Sequence, residues 1–107
     1  MTDRVTEHLA LFNEAVRSGD FGPFVATFAP DAEMRFVGVP AGPFAGRDQI
    51  AQAYARQPPT DTMTVLSVAA DGDTDVVRFA WDAGGTGTMT VRWQGPLVAD
   101  LTVAFDG

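Results

Sequence analysis

The chain has 107 residues, 46% of them hydrophobic and 20% charged, a composition that predicts one folded domain over residues 1–107 rather than a disordered segment. Its net charge is −7 and its seven basic residues are scattered, so we expect no binding to nucleic acid or to an anionic membrane. The chain has no cysteine and a single histidine, so we expect no metal and no cofactor. It has no apolar run long enough to span a membrane, so we expect a cytoplasmic location.

Two helices are predicted before the first strand. The first begins at a capping threonine, Thr2, and carries an apolar stripe at helical spacing. The members of this stripe are Val5, Leu9, Phe12 and Val16. Ser18, Gly19 and Asp20 end the first helix, and a short second helix then presents apolar side chains inward until Pro30. These inward side chains are Phe21, Phe24, Val25 and Phe28.

A strand, a turn-rich excursion and a third helix follow. The alternation over Glu33–Val37 predicts a strand with Met34 and Phe36 on one face. Residues 38–46, which are rich in glycine and proline, predict a small hairpin. The third helix is predicted from about Arg47 to Arg56, where a pair of prolines stops it.

The rest of the chain reads as four strands, over residues 62–70, 75–83, 86–93 and 97–105. Alternate positions of the last three strands are apolar, namely Val77, Phe79, Trp81, Met89, Val91, Trp93, Leu97, Ala99, Leu101, Val103 and Phe105. One face of this sheet must be covered, and the helices are the only available cover. The sequence therefore predicts an α+β fold in which three helices pack on a curved antiparallel sheet and form a cone with an internal pocket.

Short fragments of the chain carry a family resemblance. Gly46-Arg47-Asp48-Gln49-Ile50-Ala51 with Tyr54, and the pairs Gly19-Asp20 and Asp31-Ala32, resemble the nuclear transport factor 2-like superfamily and, within it, the SnoaL-like and steroid delta-isomerase-like group. The order of elements is similar over the whole chain. The resemblance implies a cystatin-like cone and a homodimer formed through the outer sheet face. It implies no particular reaction, since this fold hosts isomerases, cyclases, hydrolases, dehydratases and non-catalytic binders.

The resemblance also implies where an isomerase of this group would hold its acid and base. The carboxylate of the first strand falls on Phe36, the enolate-binding tyrosine of the first helix on Phe12, and the carboxylic acid of a late strand on Met89. Of two supporting tyrosines, one falls on Phe28 and only Tyr54 is retained. A general base contributes roughly 10²–10⁴-fold and each oxyanion donor roughly 10²–10³-fold. We therefore expect no ketosteroid isomerase activity by that mechanism.

The apolar side chains expected inside the cone form either a filled core or an open ligand pocket. They are Phe12, Phe24, Phe28, Phe36, Tyr54, Trp81, Met89 and Trp93. The favoured function is a binding domain for a small hydrophobic, polyketide-like or steroid-like molecule. The alternatives are an isomerase, cyclase or hydrolase with a rearranged site drawn from Tyr54, Asp82, Arg35 and Asp100, and a dimerisation module with a closed core. In the rearranged site, a bulge near Gly84 would turn Asp82 inward as the base, with Tyr54 as a donor.

Three other patterns have simpler interpretations. His8 is expected to be a flanking or surface histidine, with a catalytic role as the alternative. Asp71, Asp73 and Asp75 are expected to form a polar turn rather than a calcium loop, because Val76 stands where such a loop needs glycine. The segment 84–87, Gly-Gly-Thr-Gly, is expected to connect a hairpin, because it lacks the lysine of a phosphate-binding loop.

Overall fold

Three helices and six strands build the described part of the chain, residues 4–40 and 42–106, in this computed structural model. The helices are α1 (Arg4–Ser18), α2 (Gly22–Val25) and α3 (Arg47–Arg56). The strands are β1 (Phe28–Val37), β2 (Phe44–Ala45), β3 (Met63–Asp71), β4 (Thr74–Trp81), β5 (Thr86–Gln94) and β6 (Leu97–Phe105). The predicted helix cap, Thr2, lies outside the described residues. None of the described helices is long and apolar enough to cross a membrane.

The six strands form one sheet in the order β2-β1-β6-β5-β4-β3. All neighbouring strands are antiparallel except β1 and β6, which run parallel. The α+β prediction with helices on a sheet is confirmed, and so is the small hairpin, because β2 pairs with β1. The sheet is mostly rather than wholly antiparallel, because the last strand of the meander is inserted beside the first strand of the chain.

The second helix is shorter than predicted, and β1 begins earlier. Phe28 was expected to be the last inward residue of the helix, but it is the first residue of β1 and pairs with Val98 of β6. Its side chain is completely buried. The pairing with β6 is interrupted until Glu33, and Pro30, which has no N–H to donate, is exposed in the interrupted stretch.

One extra residue in β6 shifts the predicted alternation. Arg92 pairs with Asp100, whereas Trp93 pairs with Val98, so Ala99 is left over as a bulge. Val98 is therefore completely buried, although strict alternation would have turned it outward. Beyond the bulge the predicted pattern holds, and Leu101 and Val103 face the core.

The hairpin turns lie where they were predicted, but Asp75 is not a solvated turn residue. It is the second residue of β4 and only 3% exposed. Its Oδ2 accepts hydrogen bonds from Nε of Arg4 and from Nε1 of Trp93, both at 2.9 Å. The carboxylate is thus buried with two N–H partners, as a buried charge requires. Residues 82–85 connect β4 to β5, which confirms the interpretation of the glycine-rich segment as a hairpin connection.

The Gly46-Arg47 fragment joins α3 to β1. The N–H of Gly46 donates to the carbonyl oxygen of Ala32 at 2.7 Å, and the positive φ of 89° at this residue suits glycine. The Arg47 guanidinium donates twice to the carbonyl oxygen of Phe28, from Nε at 2.8 Å and from Nη2 at 2.5 Å. These contacts hold α3 over the inner sheet face, where it buries Ile50 and Tyr54.

Candidate functional site

A cavity of about 250 Å³ lies between the helices and the inner face of the sheet. Every helix and five of the six described strands or their flanks contribute to its wall. The lining residues are His8, Leu9, Phe12, Phe24, Phe36, Tyr54, Pro59, Met63, Trp81, Met89, Leu101, Val103 and Phe105. All of them except His8 and Tyr54 present hydrocarbon, indole or thioether groups, so the wall is almost entirely apolar.

The cavity has a buried floor and an aromatic rim. The rim is formed by the partly buried residues Phe36, Pro59, Trp81 and Phe105. The ring of Phe105 stacks between two others, with centroid distances of 6.2 Å to Phe36 and 6.4 Å to Trp81. The remaining lining residues, including His8 and Met89, are buried or nearly so and lie deeper. A ligand would therefore enter past aromatic faces.

The structure brings most of the expected pocket residues together. Phe12, Phe36 and Met89, which occupy the positions of the isomerase acid–base groups, all line the cavity. So do Phe24, Tyr54 and Trp81. The neighbouring Arg35 points away from it, because its Nη1 donates to Oδ1 of Asp100 at 2.9 Å on the opposite face of the sheet. The strand register that brings Phe36 inward is therefore the one expected.

Two of the expected pocket residues are elsewhere. Phe28 and Trp93 are buried but do not line the cavity; they pack against the ring of His8, at centroid distances of 5.7 and 5.9 Å. Phe28 is held there by its place at the start of β1, and Trp93 by the hydrogen bond from its indole to Asp75. Both belong to the packed core behind the cavity wall.

Asp82, the expected base of a rearranged site, lies on the surface. It follows β4 directly, and its N–H donates to the carbonyl oxygen of Thr62 at 2.9 Å. Its carboxylate accepts hydrogen bonds from the hydroxyls of Thr62 and Thr64, the latter at 2.7 Å. These hydrogen bonds hold the pKa of Asp82 below its ordinary value. The residue is exposed and does not line the cavity, because the chain turns outward here instead of bulging inward.

Tyr54 is the one hydroxyl on the cavity wall. Its ring stacks on Phe21 at a centroid distance of 5.0 Å and meets Phe24 edge-on at 5.4 Å. The hydroxyl donates to the thioether sulfur of Met34 at 3.5 Å, which is a weak acceptor. Burial raises the pKa of this phenol well above its ordinary value, so it remains protonated at neutral pH.

His8 was expected at the surface, and this expectation is wrong. The side chain is only 3% exposed and lines the cavity, packed between aromatic rings of which Phe24 is nearest at 4.8 Å. Its Nδ1 lies 3.3 Å from Oγ1 of Thr27. Burial lowers the pKa of the imidazole to about 4, so His8 is neutral at neutral pH. The helical spacing could have indicated this burial, because position 8 lies one turn after Val5 and one turn before Phe12, on the same face of the helix.

The described residues, 4–40 and 42–106, contain no group of three His, Asp or Glu side chains that could hold a metal ion. Asp100 and Asp106 pair with arginines on the surface, and the buried Asp75 accepts hydrogen bonds from Arg4 and Trp93. Among the lining side chains, polar groups are present in the imidazole of His8, the phenol of Tyr54 and the indole N–H of Trp81.

Comparison with known proteins identifies the scaffold. The family described as SnoaL-like domain matches residues 9–104. None of the curated proteins matches the chain significantly. Among solved structures, a SnoaL-like protein of unknown function from Burkholderia thailandensis is 14% identical, with 100% of this chain and 98% of that chain covered and a TM-score of 0.77.

Two further solved structures are similar in fold. A hypothetical protein with a ketosteroid isomerase-like fold from Catenulispora acidiphila, in complex with trimethylamine, is 15% identical, with 91% of this chain and 83% of that chain covered and a TM-score of 0.76. A candidate polyketide cyclase from Sinorhizobium meliloti is 21% identical, with 96% and 94% covered and a TM-score of 0.70. At these identities the likeness concerns the fold alone, which is the nuclear transport factor 2-like fold that the sequence predicted.

Proposed function

Since the chain belongs to the SnoaL-like domain family, we propose that it binds a small, neutral, apolar ring compound in the cavity and lacks the acid–base set of ketosteroid isomerases. The observation that carries this proposal is the composition of the cavity wall, which is apolar except at His8 and Tyr54. We also propose that residues 1–107 form a single domain, because helices and strands from both ends of the chain contribute to that wall.

The size of the cavity limits the ligand. Ligand pockets usually have volumes of about 300–1,000 Å³, and this one, at about 250 Å³, is slightly smaller. It suits a compound of roughly one or two fused rings better than the four rings of a steroid. A charged ligand is disfavoured, because no cationic or carboxylate side chain lines the wall to replace its hydration.

The absence of a strong base inside the cavity argues for binding rather than for isomerisation. Phe36, Phe12 and Met89 occupy the three positions at which the resemblance would require proton-handling groups. The alternative function, an isomerase, cyclase or hydrolase with a rearranged site, would have to operate with His8 and Tyr54. A histidine with a pKa of about 4 is a weak base at neutral pH, far from the value near the working pH that favours proton transfer. We therefore expect no turnover of a Δ5-3-ketosteroid.

Ligand binding can be tested by thermal unfolding with naphthalene, indole and 1-naphthol as probes. At a free ligand concentration of about ten times Kd, binding adds roughly 1.4 kcal/mol to the free energy of unfolding. For a domain of this size, this should raise Tm by roughly 5–10 °C. If none of the three probes raises Tm up to its solubility limit, the binding proposal is wrong.

Two buried valines provide a matched pair of variants. Val103 of β6 lines the cavity. Val91 of the neighbouring strand β5 is also buried but does not line the cavity. Val103→Phe should fill the cavity and abolish the Tm shift caused by naphthalene. Val91→Ala should lower Tm because it removes buried methyl groups, yet the shift caused by naphthalene should persist. A shift that survives in Val103→Phe would locate the ligand elsewhere.

We further propose that the protein forms a homodimer through the outer face of the sheet. The support is the character of this face, where Thr90 and Thr102 are small enough for close approach and Asp100 lies between Arg35 and Arg92. Analytical ultracentrifugation should give twice the mass of the chain, and Thr90→Lys should shift the protein towards the monomer by adding a charge at the interface. A monomeric mass for the unaltered protein at high micromolar concentration would overturn this proposal.

A further inference from the structure

The protonation of His8 can be read from the hydrogen bonds of Thr27. A threonine hydroxyl has one proton to donate, and that of Thr27 donates to the carbonyl oxygen of Phe24 at 2.6 Å. The same oxygen lies 3.3 Å from Nδ1 of His8 and can therefore only accept a hydrogen bond there. Nδ1 of His8 thus carries the proton. A neutral imidazole has a single N–H, so Nε2 holds a lone pair and is a hydrogen-bond acceptor.

This acceptor has no hydrogen-bond partner among residues 4–40 and 42–106. Thr27 provides the one hydrogen bond to the His8 ring among the described residues. Every fully buried side-chain nitrogen or oxygen in residues 4–40 and 42–106 has a hydrogen-bond partner. Nε2, which has none, must then lie where a water-sized group can reach it. His8 lines the cavity, and we take the accessible space at Nε2 to be this cavity.

The surroundings hold the imidazole in place and offer it no other donor. Its ring is packed among Phe24, Phe28 and Trp93, whose indole N–H is already bound to Asp75. The Tyr54 hydroxyl donates to Met34. A purely hydrocarbon ligand would therefore cover Nε2 without satisfying it, and an unsatisfied buried acceptor is costly.

We propose that the cavity selects neutral ring compounds that carry one hydrogen-bond donor, a hydroxyl or a ring N–H, and that Nε2 of His8 accepts this hydrogen bond. This inference rests on the proposed binding function and specifies the class of ligand. Sites built to hydrogen-bond a ligand group discriminate strongly against an analogue that lacks the group, because the protein atom is then left unpaired. A carboxylic acid is disfavoured at neutral pH, because its anion would meet the unprotonated nitrogen.

Calorimetric titration with a matched ligand pair tests the inference. 1-Naphthol and 1-methoxynaphthalene share the same rings, but only the naphthol can donate a hydrogen bond. We expect 1-naphthol to bind about tenfold more tightly at pH 7, a difference of about 1.4 kcal/mol that lies in the range for leaving a buried acceptor unpaired. Equal affinities would overturn the role of His8 while leaving the binding function intact. Binding of neither compound would instead overturn the binding function.

His8→Phe separates this hydrogen bond from others that a naphthol could make. The variant keeps an aromatic ring at position 8 and removes the acceptor, so the preference for 1-naphthol should fall to within about twofold. Retention of the full tenfold preference in a folded variant would show that another group accepts the bond.

A measurement on the unaltered protein does not depend on the folding of the variant. His8 is the only histidine in the chain, so ¹⁵N-histidine labelling yields the signals of one ring. We expect the Nδ1 signal of a protonated nitrogen and the Nε2 signal of an unprotonated one. 1-Naphthol should shift the Nε2 signal towards the protonated range, and 1-methoxynaphthalene should not. The opposite tautomer, or equal shifts with both ligands, would contradict the inference.

Discussion

The two faces of the sheet differ in chemistry, although neighbouring residues of the same strands form both of them. On the outer face, Asp100 pairs with Arg35 at 2.9 Å and with Arg92 at 3.9 Å, and Arg78 pairs with Asp106 at 2.9 Å. The inner face meets the cavity with apolar side chains, and the only groups that can titrate on the cavity wall are one imidazole and one phenol, both contributed by helices. The alternation of the strands produces both faces at once, since neighbouring residues point to opposite sides.

This difference shows how a sheet with several charged residues can still present an apolar wall, without charged acid–base groups, to its cavity. Arg78, Arg92 and Asp100 of the last three strands lie on the outer face, where water screens them and they pair with other charged groups. The carboxylate of Asp75 is buried, but it binds Arg4 and Trp93 and does not line the cavity. The cavity keeps only groups that are neutral at pH 7. A substitution that moves a charge from one face to the other should therefore have a large effect, and one that removes a charge from the outer face should have a small one.

The largest effect is expected from a carboxylate placed on the inner face. Met89→Asp would bury an unpaired charge on the cavity wall and should lower the free energy of unfolding by about 4 kcal/mol. The adjacent Thr90 faces outward, and Thr90→Asp should cost less than about 1 kcal/mol when both variants are measured at concentrations too low for the proposed dimer. Urea unfolding of the two variants measures the contrast. Similar losses in both would mean that β5 does not separate the faces as described.

An intermediate effect is expected from the pH dependence of His8. Its pKa is 6.5 when exposed and about 4 in the folded protein, so between these values the unfolded chain binds a proton that the folded chain does not. Stability is therefore lost as pH falls below 6.5. The loss due to His8 should reach roughly 2 kcal/mol at pH 5.

His8→Phe isolates this contribution from that of the carboxylates, which titrate in the same direction at lower pH. Urea midpoints measured at pH 7.5 and pH 5 should move closer together in the variant than in the unaltered protein. Equal pH dependence in the two proteins would show that His8 is not buried in its neutral form.

The smallest effect is expected on the outer face. Arg35 and Asp100 are partly exposed, and exposed ion pairs contribute only about 0.2–1 kcal/mol. A double-mutant cycle with Arg35→Ala and Asp100→Ala should give a coupling free energy in this range. The coupling should decrease in about 1 M salt, where the Debye length is roughly 3 Å. This range applies to the monomer, and a coupling well above it in the monomer would contradict the exposure of the pair. In the proposed homodimer the face is covered, so the coupling should be larger at concentrations at which the dimer forms.

Much of the fold followed from periodicity, and part of the site followed from periodicity together with the family resemblance. Met34 and Phe36 share a face because strands alternate, and Phe12 joins them because helical spacing turns it inward. Two features were not predicted, because the local sequence pattern does not reveal them. Val98 and Ala99 are both apolar, so nothing in the alternation shows that Ala99 is an extra residue. Phe28 suits a helix or a strand equally well, and its partner Val98 lies in a distant segment.

The burial of His8 was not predicted, for a different reason. This residue lies one helical turn from both Val5 and Phe12, but the prediction placed it near the edge of the apolar stripe, and histidine is intermediate in its tendency to be buried. The residue type outweighed the spacing in the prediction, whereas packing against Phe24 decided the structure. Asp75 is a parallel case, because its partners Arg4 and Trp93 come from α1 and β5 and are brought to it only by the complete fold.

The parallel pairing of β6 with β1 also has a consequence for the order of folding. Because β6 lies between β1 and β5, the first of the described strands has its main neighbour in the last of them. Phe28 pairs with Val98, and Phe105 completes the aromatic rim, so both contacts form only after β6 has been added. Without β6, β1 and β5 lack the neighbour they share and the cavity wall is incomplete, so the cavity can close only when β6 joins the sheet, in one late step of folding.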